Sequence, residues 1–259
     1  MQKLIGIRGH RGAGKESVAY LLASAIEYFN NPGADEPFDV MYQKAVDRLV
    51  ENKDEALSNI ELSIVYLDAF GDAPKAMVQQ LLGCDFKYLW EEYWKDHAVV
   101  DLQTFEVEEV EVLPDGLITA DDLKDGFGVG RMSLREFILY FGINVMQKYF
   151  GQDVWVKSTA RNDMLNEEGE FTSDGIRIYT DIKAPTELAY VIGRGGKIIN
   201  VERKGYKKKG GLDLLKGDDR WDYLIEIKGD DLMSIKDDIK QIAESLLYDR
   251  ESIENQEVR

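Results

Sequence analysis

The chain has 259 residues, 44% of them hydrophobic and 31% charged, with a formal net charge of -17. That length holds one large domain, or a domain with an insertion, and the composition is that of an ordinary globular protein. A surface this acidic repels nucleic-acid backbones, and no apolar run approaches the ~20 residues that cross a bilayer, so neither nucleic acid nor membrane is an expected partner. The lone cysteine, Cys84, cannot form an internal disulfide. With only His10 and His97 beside it, a Cys/His zinc site is not expected. The start shows no basic region followed by an apolar block, and a reducing, cytoplasmic setting is expected.

An apolar run (Leu4, Ile5, Ile7) predicts a first strand. It leads into Gly9–Ser17, GHRGAGKES, where Gly9, Gly14 and Lys15 fit G-x-x-x-x-G-K. Glycines let the backbone curl so that several N–H groups face one anion. The helix that follows adds its positive end, and Lys15 adds a full charge. Gly9, Gly12, Ala13, Gly14, Lys15, Glu16 and Ser17 are therefore the expected polyphosphate cradle; the alternative is a glycine-rich surface turn. Glu16 stands where Ser or Thr is usual, and Ser17 comes one place late.

From Ser17 the residues Val18, Leu21, Leu22, Ala25, Ile26 and Phe29 recur at helical spacing, and Asn30–Gly33 ends the helix. Residues 38–58 read as a polar helix or a pair of turns, Ser63–Leu67 as a strand, and Ala76–Leu82 as a helix. Asp96–Phe127 is acidic. Thr104–Leu113 alternates, and Pro114, Asp115 and Gly116 make a turn before Leu117 and Ile118, which predicts a β-hairpin insertion. Residues 38–130 as a whole are expected to be a substrate-binding region inside a single domain.

Met132–Phe150 is expected to be one helix. Ser133 and Glu136 form a capping box, Met132 and Phe137 a hydrophobic staple, and Leu134, Phe137, Ile138, Phe141, Val145 and Tyr149 the buried face. Arg135 in the first turn opposes the helix dipole, which a bound anion would relieve. Strands at 176–180, 197–201 and 223–227 alternate with helices at 186–192 and 232–247. This rhythm implies an α/β fold, a mostly parallel sheet with helices on both faces. The tail from Asp249 to Arg259 is charged.

Phosphoryl transfer needs phosphates held in line and their charge neutralised. Cations available for that are Arg11 in the loop, the pair Arg131 and Arg135 at a helix start, and Lys75. Arg203, Lys204, Lys207, Lys208 and Lys209, set among Gly205, Gly210 and Gly211, read either as a basic lid or as a solvated loop. Mg²⁺ prefers oxygen ligands. Asp181, at a strand end, is the expected carboxylate and Asp68 its competitor; Glu16, Ser17 or a water would fill the remaining place. Phe70, Tyr88, Trp90, Tyr93, Trp94 and Trp155 could stack on a base, or could be core.

Several segments together resemble the bacteriophage deoxynucleoside monophosphate kinases, a P-loop family. Gly14-Lys15-Glu16-Ser17 is similar to that family's G-K-D-T. Phe70-Gly71-Asp72-Ala73-Pro74-Lys75 is similar to its F-A-D-P-L-K turn. Arg135 through Gly142, Ile143 and Asn144, followed by Trp155 and Val156, resembles its R-x-x-x-Q-x-x-G-T-[DE] helix and W-V pair. Asp181, Lys183 and Glu187 resemble its D-x-R-x-x-x-E strand end, with Lys in place of Arg. The resemblance implies a three-layer α/β/α P-loop kinase fold with a helical substrate and lid region. It implies ATP and Mg²⁺ as cofactors, and transfer of the γ-phosphate to a deoxynucleoside monophosphate in the cytoplasm of a host cell. Lys15, Arg11, Arg135, Asp181 and Lys183 would be catalytic. Phe70, Gly71, Asp72, Lys75, Arg131, Gly142, Asn144, Trp155 and Glu187 would hold the substrate. Other readings are a different small-molecule P-loop kinase, such as one resembling dephospho-coenzyme A kinase, or a protein that binds a nucleotide without turnover. A homodimer is left open.

Overall fold

The computed structural model describes residues 3–58, 62–123, 129–162, 175–205, 215 and 217–257. In chain order the elements are β1 (Lys3–Arg8), α1 (Lys15–Asn30), α2 (Phe38–Glu51), α3 (Lys53–Ser58), β2 (Val65–Asp68), α4 (Asp72–Leu82), α5 (Lys87–Trp90), α6 (Glu92–Lys95), β3 (Ala98–Asp101), β4 (Val107–Glu109) and β5 (Arg131–Ser133). Then come α7 (Leu134–Leu139), a π-helical stretch (Tyr140–Gln147), α8 (Lys148–Phe150), α9 (Val154–Asn162), β6 (Ile176–Ile182), α10 (Pro185–Gly193), β7 (Lys197–Lys204), β8 (Tyr223–Lys228) and α11 (Lys236–Glu257). The chain divides into two compact units, Met1–Ala69 with Met164–Arg259, and Phe70–Asp163. The region expected at 38–130 is thus shared: 38–69 belongs to the first unit and 70–130 to the second.

The first unit is α/β. Its five-stranded sheet runs β2-β6-β1-β7-β8, and every neighbouring pair is parallel. A parallel sheet of this kind is covered by helices on its faces. Ile5 and Ile7 of β1 point into a core shared with Leu21, Leu22 and Ile26 of α1, Tyr42 of α2, and Ile239 and Ile242 of α11. Leu188 and Val191 of α10, both fully buried, pack against β1 and β7. Helices therefore flank the sheet, as three α/β/α layers require. The helix α1 is buried well beyond one stripe, since Ala19, Tyr20 and Ala23 join Val18, Leu21, Leu22, Ala25 and Ile26 inside. A helix apolar on so many sides belongs at the centre of its unit.

One side chain ties the end of α1 to the start of β2. Glu27 Oε1 accepts the backbone N–H groups of Ser63 (2.7 Å), Ile64 (2.7 Å) and Val65 (3.0 Å), and the Ser63 hydroxyl donates to Oε2. Amides that lead into an edge strand lack ladder partners on one side, and this carboxylate supplies an acceptor.

The second unit carries a three-stranded antiparallel sheet ordered β4-β3-β5. Its core holds Val78, Leu89, Val100, Met132, Leu134, Phe137 and Trp155. The hairpin is displaced from the one expected. It turns at residues 102–106, where the Asp101 carboxylate accepts the Gln103 and Thr104 N–H groups at 2.8 and 3.1 Å and Phe105 takes φ 60°. An Asp side chain that gathers the next two amides makes a turn of its own, and this outweighs the alternation that predicted a strand from Thr104.

The expected helix from Met132 starts later, at Leu134, because Met132 pairs with Val100 in the sheet. Ser133 Oγ accepts the Glu136 N–H at 3.2 Å, as the capping pattern predicts. The Glu136 carboxylate instead accepts the Ala120 N–H at 3.1 Å, so the box is open. From Tyr140 the helix widens to the i→i+5 pattern. Trp155 Nε1 donates to the Gly142 carbonyl at 3.0 Å, an acceptor inside that stretch. The widened turn rotates the faces: Tyr140 is buried, while Tyr149, expected inside, is 71% exposed. Among the described residues no helix is long and apolar enough to cross a membrane.

Replacing Glu27 by Ala is expected to lower the unfolding free energy by about 2 kcal/mol, since several amides lose one acceptor, and Glu27→Gln by about 1 kcal/mol. Urea unfolding measures both; a Glu27→Ala protein within ~0.3 kcal/mol of the wild type would show that the carboxylate adds nothing.

Candidate functional site

The loop after β1 leaves the sheet at the carboxyl end of its central strand, where ligands of open α/β sheets bind. Three of its residues have positive φ: Gly9 (152°), Gly12 (83°) and Gly14 (95°). Gly9 is irreplaceable for a second reason: a Cβ there would lie 2.5 Å from the Val201 carbonyl oxygen of β7. Inside the loop Ala13 is fully buried and its N–H donates to the His10 carbonyl at 3.1 Å. Gly14 stands just before α1 in the left-handed conformation, and its carbonyl accepts the Val18 N–H at 2.9 Å.

Lys15 folds back over this loop. Its Nζ donates to the carbonyls of Gly9 (3.0 Å) and His10 (3.1 Å) and lies 3.3 Å from Asp181 Oδ1. Only 10% of its side chain is exposed. Asp181, near the end of β6, also pairs through Oδ2 with Lys183. Its Oδ1 is buried and accepts no hydrogen bond from the described residues. Lys15 therefore meets Asp181, 166 positions later in the sequence, beside the loop, and Lys183 holds the other oxygen of that carboxylate. A cation that rests mainly on neutral carbonyls can exchange them for an anion at modest cost, because charged acceptors bind an ammonium about twice as strongly as neutral ones.

The other candidates of this unit divide. Arg11 lies on the turn of the loop, partly buried. Ser17 is partly buried in the first turn of α1, whereas Glu16 is exposed and paired with Lys53. The Glu16 carboxylate, expected to serve a metal, is held in this structure by the exposed Lys53. Asp68 is bound to the guanidinium of Arg177, which also lies 5.0 Å from the Tyr66 ring centre, so Asp68 is committed to the sheet. Among the described residues no three His, Cys, Asp or Glu side chains converge on a common point. Arg203 and Lys204 pair with Asp230 and Glu226; Lys207, Lys208, Lys209, Gly210 and Gly211 lie outside the described residues.

Glu187, expected to touch substrate, caps α10 instead. Its Oε2 accepts the N–H groups of Lys183 (2.7 Å) and Ala184 (2.9 Å). Burial pushes its carboxyl above the ordinary glutamate value, and the nearby Asp181 charge adds to this against the lowering effect of the two amides.

In the second unit, the Phe70–Lys75 turn opens α4. Phe70 is 1% exposed, so it is a core side chain and offers no face to a base. Gly71 has open space around its Cα, and Lys75 pairs with Asp72 at 2.8 Å. Arg131 pairs with Glu108 in a hollow of about 280 Å³ that Asp101 and Glu106 also line, which is unsuitable for an anion. Arg135 does not face an open anion site. It grips Asp96 with both edges of its fork, Nε to Oδ1 at 2.5 Å and Nη2 to Oδ2 at 2.9 Å, and that carboxylate offsets the dipole conflict. Gly142 and Asn144 sit on the π-helical stretch, Asn144 Nδ2 donating to the Ala120 carbonyl at 3.4 Å. Trp155 is buried, as noted, against Gly142. Sequence reasoning passed over two stacked pairs, Phe86 on Trp90 (4.2 Å between centres) and Tyr93 on His97 (3.9 Å). Their i, i+4 spacing was the available signal.

No protein-family model matches the chain, and no curated protein matches it.

Glu187 yields a pH test. Its folded value is raised, so its contribution to stability is complete below the unfolded value of about 4.3 and is lost as pH rises through the folded value. Glu187→Gln keeps an acceptor oxygen and removes the charge. The variant is expected to match the wild type in unfolding midpoint near pH 4 and exceed it near pH 7. Parallel midpoints across that range would contradict the assignment.

Proposed function

We propose that the chain is an ATP-dependent phosphotransferase whose acceptor is a nucleoside monophosphate, with deoxynucleotides favoured. One observation carries the reading: a loop of left-handed glycines at the carboxyl end of the central parallel strand, with Lys15 folded over it beside Asp181. The resemblance to the phage kinases supplies the acceptor class. Sequential numbering of the sheet, 2-3-1-4-5, places the loop's strand in the middle, with Asp181 on one neighbouring strand and Val201 on the other.

Lys15 would leave the Gly9 and His10 carbonyls for the outer phosphates of ATP, while amides from Gly12 to Ser17 and the positive end of α1 face the chain of phosphates. Asp181 would hold Mg²⁺ together with Ser17 once Lys15 leaves its Oδ1, which is buried and accepts no hydrogen bond from the described residues; Glu16 turns toward Lys53. When bound, the ion would neutralise phosphate charge and hold the transferring group in line. Arg11 and Lys183 would face the acceptor phosphate. In the second unit the resemblance alone would assign Gly71, Asp72, Lys75, Gly142 and Asn144 to the substrate, while Arg131 and Arg135 are held by Glu108 and Asp96. The acceptor oxygen is already ionised, so the transfer needs no strong general base.

An assay of ATP consumption over all deoxy- and ribonucleoside monophosphates tests the proposal. At least one acceptor should yield a diphosphate, and Lys15→Ala should lower turnover by about 10³-fold or more with an unchanged circular dichroism spectrum. Near-normal turnover in that variant would refute the role of the loop. ATP binding with no product from any acceptor would favour a non-catalytic nucleotide binder. Asp181→Asn is expected to raise the Mg²⁺ concentration that gives half-maximal rate by about tenfold, and an unchanged requirement would remove Asp181 from the metal.

A further inference from the structure

We propose that Arg203 is a positioning residue that holds the crown of the Gly9–Ser17 loop in its phosphate-accepting shape; the proposal rests on the phosphate reading of that loop. Gly12 is exposed, has positive φ and carries no side chain, so its carbonyl is the handle by which the crown can be gripped. Arg203 Nη1 donates to that carbonyl at 3.3 Å, across 191 positions of sequence. The same guanidinium is anchored elsewhere: Nε donates to the Gly229 carbonyl at 2.5 Å, and Nη2 pairs with Asp230. The anchor is itself tight. The Gly229 N–H reaches back to the Lys204 carbonyl at 3.3 Å, the Asp231 N–H to the Lys228 carbonyl at 3.0 Å, and Asp231 Oδ1 caps the next turn through the Met233 N–H at 3.0 Å.

The loop thus has two cationic tethers of different fate. Lys15 holds the carbonyls of Gly9 and His10, and it gives them up when a phosphate takes its charge. Arg203 holds Gly12 by an edge that phosphate binding leaves in place. A loop with three left-handed glycines loses much conformational freedom when it closes on a ligand, and ordering it beforehand reduces that loss. Lys cannot replace Arg here, because one ammonium cannot span three divergent acceptors that a planar fork meets together.

Two measurements test this on the full chain. In Arg203→Lys, hydrogen–deuterium exchange of amides 10–14 should quicken by about fivefold while amides of β1, β6 and β7 stay as in the wild type. Affinity for inorganic tripolyphosphate and for ATP should fall by the same factor, about tenfold, in calorimetry. Asp230→Asn should give a smaller change in the same direction. Faster exchange throughout the sheet would make Arg203 a general structural residue and overturn the proposal. So would unchanged tripolyphosphate affinity, or a loss confined to ATP, which would place Arg203 on the nucleoside. A wild-type protein that binds neither probe would overturn the phosphate reading itself, and this proposal with it; binding by the wild type with no change in the variant sinks the proposal alone.

Discussion

The ammonium of Lys15 joins three parts of the first unit at one point. It meets two carbonyls from the loop, extends from the first turn of α1, and reaches the carboxylate at the end of β6. A cation with a tenth of its side chain exposed is costly unless its protons find acceptors and its charge a counterpart. The two carbonyls provide the first and Asp181 the second. The arrangement works only because the backbone at Gly9 can pass beneath the Val201 carbonyl, where any side chain would collide. Close approach of β1 to β7, curl of the loop and placement of the ammonium are therefore one constraint.

That constraint also separates stability from chemistry. Asp181 is held from its other side by Lys183, so it has a counter-ion that does not depend on Lys15. The core beneath is built from Ile5, Ile7, Leu21, Leu22 and Ile26, none of which depends on where the ammonium points.

What the sequence made legible follows the range of the interactions involved. The strands at β1, β6, β7 and β8 and the helices α1 and α11 come from local periodicity, and a parallel sheet follows from their alternation. Asp181 at its strand end was legible for the same reason. The misses come from partners far along the chain. The π-helical stretch involves Trp155, 13 residues beyond Gly142, and no periodicity within the helix announces it. Arg135 is satisfied by Asp96, 39 residues earlier, so its awkward place in the first turn was no sign of a vacant anion site. β3 is four residues long, too short for alternation to speak. Glu187 is different: a proline opening a helix with Glu in its first turn is a local capping signal, and the resemblance drew attention away from it.

Two arginine–carboxylate pairs show how burial sets the cost of separating an ion pair. Arg177 has 9% of its side chain exposed, and its bond to Asp68 closes across the edge of the sheet. Parting them would leave a guanidinium in a place that water reaches poorly, at a cost of about 3–5 kcal/mol. Arg135 and Asp96 have 27% and 43% exposed. Water reaches this pair more readily, so separating it costs less than separating Arg177 from Asp68. The bidentate bond to Asp96 nevertheless fixes where the Arg135 fork points. The same reasoning makes Arg177 and Asp68 part of the framework, although by residue type and strand-end position Asp68 looked as good a site residue as Asp181.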